Sequence, residues 1–133
     1  MSARTSLILV LLFAFLPAFG GLAGSSAAAE ERFFEALYDV PVMPGMEEVP
    51  GQAMLFDKPG GRIAVVVAAT KVAKPAEVAA FYEETLTQMG WIKTTVNQYV
   101  RGEQRLSVKI QSGAKAATVN FTLEPRSARP AGK

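Results

Sequence analysis

The chain has 133 residues, 14 Lys plus Arg against 12 Asp plus Glu, and neither Cys nor His. That balance is not the basic one of a nucleic-acid-binding domain, and the absence of Cys rules out disulfides and thiolate metal sites. The absence of His removes the commonest general base and the commonest metal ligand.

Residues 1–29 read as a secretory signal peptide. Arg4 supplies a positive start, residues 7–19 (LILVLLFAFLPAF) are an uncharged apolar run, and small residues follow up to Ala27-Ala28-Ala29, where cleavage is expected. Thirteen helical residues span about 20 Å, short of the roughly 30 Å hydrocarbon core. The alternative is an uncleaved N-terminal membrane anchor running on to Ala23. No Cys stands at the junction, so no lipid anchor is expected, and no twin arginine precedes the run. The expected address is the periplasm or the exterior. Cleavage would leave Lys plus Arg one ahead of Asp plus Glu, in a chain long enough for one small domain.

Residues 30–52 form an N-terminal section. EERFFEALY (30–38) suggests a short helix with Phe33, Phe34 and Leu37 on one side, marginal for its length. DVPVMPGMEEVPG (39–51) has too many Pro and Gly for a helix or a central strand. It reads as an extended arm held on the core by Val40, Val42, Met43 and Met46, with a mobile linker as the alternative.

Residues 53–125 form the domain proper. Residues 53–56 read as a first strand, and Lys58-Pro59-Gly60-Gly61 as a type II turn with Gly60 at its third position. Residues 62–69 (RIAVVVAA) are apolar on both faces and read as a central strand. Residues 74–91 (KPAEVAAFYEETLTQMGW) then carry the clearest period in the chain. Val78, Phe81, Tyr82, Leu86 and Met89 share one helical face, Pro75 suits the first turn, and Gly90 suits the C-terminal cap with Trp91 folding back on Leu86. The polar atoms of Tyr82 and Trp91 are the ones expected to reach a surface. Residues 92–100 read as a third strand with Ile92, Thr94 and Val96 inward. Residues 104–110 and 117–123 alternate cleanly, with Leu106, Val108, Ile110, Val119, Phe121 and Leu123 inward. Residues 126–133 read as a disordered tail. The expected fold is α+β: a single antiparallel sheet in ββαβββ order with one helix packed across one face.

Segments of this chain resemble a family of short exported alphaproteobacterial proteins of no assigned function. The resemblance rests on Asp39-Val40-Pro41-Val42-Met43-Pro44-Gly45, on 56–63 (FDKPGGRI), on Phe81-Tyr82 with Leu86 and Gly90-Trp91, and on Arg101-Gly102-Glu103 with Leu106. It covers roughly 39–125 and implies an envelope address and a helix-on-sheet domain. It implies no catalytic residues, and Met46 and Met89 sit where varied apolar residues are expected.

The candidate chemistry is sparse. Met43 and Met46, with Met54 as a third thioether, suggest a Cu(I) site, against a packing role that pins the arm. Glu83 and Glu84 do not converge on a helix and read as a solvated face. Asp57, Glu103 and Glu124 are carboxylates at strand ends. A Ser–Lys pair is formally available, for example Ser107 with Lys109, both outward on one strand. The uncovered sheet face, with Lys93, Arg105, Lys109 and Asn120, reads as a polar, mildly basic surface suited to a glycan, an anionic lipid headgroup or an envelope protein. A sheet edge offers a route to strand addition or dimerisation. The expected function is a non-catalytic binding or interaction module of the cell envelope, with no cofactor. Copper handling, or a carboxylate or Ser–Lys enzyme, is the alternative.

Overall fold

In a computed structural model, which describes residues 30–113 and 116–127, the periodic segment forms α1, Pro75–Gln88. The signal-peptide reading of residues 1–29 and the tail beyond residue 127 lie outside the described residues. Pro75 stands at the start of α1, and the Glu77 carboxylate accepts from the Lys74 amide at 2.7 Å. Lys74 has only donors on its side chain, so the first turn is closed by its backbone carbonyl, which accepts from the amides of Glu77 and Val78. At the other end the Trp91 amide reaches back to the Leu86 carbonyl and the Gly90 amide to that of Thr87, with Gly90 at φ 87°. This paired closure needs a left-handed residue, which Gly supplies without a Cβ clash.

Among the described residues seven strands form one antiparallel sheet: β1 (Met46–Glu48), β2 (Met54–Lys58), β3 (Gly61–Thr70), β4 (Ile92–Thr95), β5 (Gln98–Arg101), β6 (Gln104–Ser112) and β7 (Ala117–Pro125). The order across the sheet is β1-β3-β7-β6-β5-β4. β2 also pairs with β3: β1 lies opposite Ala68–Thr70 and β2 opposite Gly61–Val65, so the two share one edge. The α+β class and the single antiparallel sheet match expectation; the element order is βββαββββ rather than ββαβββ.

α1 crosses β4, β6 and β7 on one face. Val78, Tyr82 and Leu86 are buried there against Val66, Leu106, Val108 and Phe121, while Phe81 and Met89 are half-buried at the margin. Beside α1 the N-terminal section covers the rest of this face. Residues 30–38 are not helical. The chain doubles back in tight turns, Phe33 bridges to Pro41, and the Val42 amide donates to the Arg32 carbonyl at 2.7 Å. Phe34, Leu37 and Val40 are buried, with the Phe34 ring 4.9 Å from that of Phe121. Burial of Phe34 and Leu37 from a segment too short to sustain a helix selects this bent form.

The expected third strand is two. Trp91, 2% exposed, takes the core position that had been assigned to Ile92, and alternation then turns Ile92 outward, 66% exposed. The chain reverses at Val96-Asn97, where Asn97 has φ 59°, a conformation Asn tolerates better than most residues. The β2–β3 turn also differs from the type II form expected: the positive φ belongs to Gly61, at 129°, not to Gly60. A Cβ on Gly61 would meet Pro125 Cγ at 2.8 Å.

Leu86→Ala should lower the unfolding free energy by about 2–5 kcal/mol in urea denaturation, and Phe81→Ala, at the half-buried margin, by visibly less. Equal losses would contradict the orientation of α1.

Candidate functional site

Among the described residues three surfaces are candidates: the groove beside the N-terminal arm, the uncovered sheet face and the β2 edge. The arm is docked, and Tyr82 docks it. Its hydroxyl donates to the Pro41 carbonyl at 3.0 Å, accepts from the Met43 amide at 3.2 Å and lies 3.4 Å from Met46 Sδ. Tyr82 is 1% exposed, and its ring meets Phe121 and Phe81 edge-on, each at 5.0 Å between centroids. The polar atom expected to reach solvent instead satisfies the backbone of the arm. Burial pushes the Tyr82 hydroxyl well above the usual tyrosine range, with the bond from the Met43 amide opposing the shift.

A second tie joins the arm to the far end of α1. Arg101 on β5 bonds Asp39 of the arm, donates to the Met89 carbonyl at 3.3 Å and lies 4.5 Å above the Trp91 ring. Trp91 is buried, and its Nε1 has no acceptor among the described residues. Here too the polar atom does not reach a surface.

The groove between arm and helix holds about 560 Å³ and is floored by Pro41, Val42, Met43, Met46 and Phe81. Its charged members, Glu30, Glu31, Arg32 and Glu47, are on its exposed rim. Met46 is buried against Tyr82, and Met54 lies across the sheet on the other face, beside Val65. The three thioethers therefore do not converge, and Met46 acts as packing for the arm. Among the described residues no three acidic side chains are grouped to hold a metal ion.

The uncovered face is less basic than the sequence implies. Lys93 is not on it: Lys93 stands beside Tyr99, a core residue, and its Nζ is 2.8 Å from Glu83 of α1. The position of Trp91 shifts the alternation by one and puts Lys93 on the helix side. The bond to Glu83 raises the Lys93 pKa above the ordinary value. Arg105 is on the uncovered face, opposite Glu124 and 3.4 Å from it. Lys109 and Asn120 face each other on neighbouring strands. Of the four residues expected there, three are brought together, and only Lys109 adds positive charge. The register flanks this polar middle with apolar residues: Met54 beside Val65 and Phe56 beside Ile63 toward one edge, Val100 beside Ile92 toward the other.

The carboxylates are scattered. Asp57 pairs with Arg62 on the helix side of the sheet, Glu124 with Arg105 on the opposite face, and Glu103 is exposed in the β5–β6 turn. Ser107 and Lys109 share the uncovered face, with Thr122 and Asn120 as their neighbours on β7.

The β2 edge is the surface the sequence did not single out by residue. All five of its residues are exposed, Met54 at 51%, Leu55 at 48% and Phe56 at 49%. One side of β2 pairs with β3, and among the described residues no strand pairs with the other. The run Met54-Leu55-Phe56 was the available signal, a short apolar strand with no neighbour to cover it.

No family model matches the chain, and no curated protein or solved structure is detectably similar to it.

Tyr82→Phe strands the Met43 amide and the Pro41 carbonyl, and should cost about 1–3 kcal/mol while speeding proteolysis within residues 39–51. Unchanged stability and cleavage would contradict the docking role. With the folded hydroxyl held above the ordinary 10.0, its contribution is full below pH 10 and is lost as pH rises beyond it, because the unfolded chain ionises first. The unfolding free energy should fall by up to about 1.4 kcal/mol per pH unit from this group above pH 10. The fall should be shallower in Tyr82→Phe but not absent, since burial, then Glu83, also raises the Tyr99 pKa.

Proposed function

We propose that this chain is an exported, non-catalytic interaction module of the cell envelope that engages a partner strand through the β2 edge. The observation that carries the reading is the edge itself, with three large apolar residues half exposed on a strand that, among the described residues, is paired on one side only. Strand addition takes its affinity from main-chain hydrogen bonds and its specificity from alternate side chains. Here those are Met54 and Phe56 on the uncovered face and Leu55 on the helix side, the pattern set by the β2–β3 register. Natural edges are normally blunted by charge, Pro or a bulge. β4, the opposite edge, follows that rule: it is four residues long, carries Lys93 and shifts register between Lys93 and Thr95. β2 carries its charges, Asp57 and Lys58, only at its end.

The address rests on the signal-like residues 1–29, and the proposed kinship with short exported alphaproteobacterial proteins agrees with it. The scatter of titratable groups argues for binding over catalysis, because a catalytic site needs such groups to converge in a pocket.

A photocrosslinking residue in place of Phe56, expressed in the native envelope, should yield a discrete crosslinked product, and the same residue in place of Glu84 on the solvent side of α1 should not. No product at position 56, or equal products at both, would overturn the reading.

A further inference from the structure

The edge that accepts a partner strand also fits itself. We infer that the strand docking on β2 is β2 of a second copy, antiparallel about a twofold axis through Leu55, which joins two sheets into one. The inference rests on the interaction reading above and names the partner.

A twofold through Leu55, perpendicular to the sheet, sets Leu55 against its own copy and Met54 against the partner's Phe56. Both copies then keep their helices on the same side of the joined sheet, because residues directly opposite in an antiparallel ladder share a face. Leu55 lies on the helix side beside Ala64, and Met54 and Phe56 lie on the uncovered face beside Val65 and Ile63. Every central pair is therefore apolar. A twofold through Phe56 would instead oppose Leu55 to Asp57 and Met54 to Lys58, burying apolar groups against charges. A twofold through Met54 would carry Phe56 past the end of the strand to Gln52.

Charge favours the same axis. Both β1 and β2 lie along β3, so distances from the axis can be counted along it. Lys58 lies opposite Gly61 and Glu47 opposite Ala69, while Leu55 lies opposite Ala64. Lys58 is thus three residues from the axis toward one end and Glu47 five residues toward the other, both on the uncovered face. The twofold exchanges the ends, so Lys58 of each copy comes to the end where the other copy carries Glu47. At about 3.3 Å per residue their backbones are offset by about 7 Å along the strand, within reach of a Lys side chain. Glu48, on the helix side opposite Ala68, adds a second carboxylate at that end, and with Lys71 beside them the end stays net negative. Arg62, also at the cationic end, is held by its own Asp57. The joined edges are opposite in charge at their ends and apolar at their centre.

A five-residue pairing lies at or below the small end of specific interfaces, about 1,200 Å², so the dimer is reversible and depends on concentration. The chain has no Cys, which gives a clean register test. In mildly oxidising buffer, Leu55→Cys in residues 30–133 should form a disulfide dimer, since its two copies meet on the axis. Phe56→Cys and Asp57→Cys, which face Met54 and Ala53 of the partner, should give at least tenfold less. Sedimentation velocity on the Cys-free protein should show a monomer–dimer equilibrium that weakens with added salt, and Leu55→Asp should abolish it while leaving the circular dichroism spectrum unchanged. A monomer at every concentration up to the millimolar range, or crosslinking strongest at position 56 or 57, would overturn the inference. A monomer that still gives a position-56 product of a different protein in the envelope would overturn this inference alone. Loss of that product too would remove the interaction reading with it.

Discussion

One hydroxyl group closes this fold. The N-terminal section has two prolines and a glycine within residues 41–45 and makes only short ladders, so its backbone cannot satisfy itself as a helix or strand would. The Tyr82 hydroxyl, itself buried, takes up one donor and one acceptor from it, at Met43 and Pro41. Without that group the arm would carry unpaired polar atoms into the core, at a cost comparable to the stability that burying Met46 and Val40 contributes. The rest depends on the arm staying down: Phe34 and Leu37 cover the part of the sheet that α1 does not reach, and β1 continues from the docked segment onto the edge of β3.

Arg101 supports the same closure from the other side. It links Asp39 in the arm to the closure of α1, the Met89 carbonyl and the face of Trp91, some fifty residues further along the chain. Arg suits the task because its planar group stacks on an aromatic ring while still donating sideways. With the two ties in place, one face of the sheet is covered, and the surfaces open to a partner, besides the groove beside the arm, are the other face and the edges. Of these, the uncovered face has a central polar stripe whose Arg105 is neutralised by Glu124, and β4 carries the usual guards of an edge strand. β2 stands apart, and for that reason the functional proposal is placed there.

Much of the scaffold was legible in the sequence. The face of α1, its Pro start and its Gly90-Trp91 closure follow from local rules, as does the alternation of β6 and β7. The features that were not legible are those decided by distant partners. Nothing local says that Trp91 fills the core and Ile92 does not, yet that single placement puts Lys93 on the helix side, while the expected strand breaks separately at Asn97, where the Asn was the one available sign. Residues 30–38 carry a helix-compatible pattern, but burial of Phe34 against Phe121 outweighs it. Tyr82 was read correctly as a member of the apolar face, while the partners of its hydroxyl lie some forty residues away and leave no trace in the period. The β2 edge was hidden for the same reason: the residues of an edge strand do not say which strand will be left without a neighbour.

The central claim is that the arm is part of the folded core and is held there by Tyr82. Native-state hydrogen exchange at the Met43 amide tests it most directly. If the buried hydroxyl holds that amide, Met43 should exchange only when the arm lifts from the core, and so far more slowly than an exposed loop. Exchange at the rate of an exposed loop, with α1 and β6 still protected, would contradict the account.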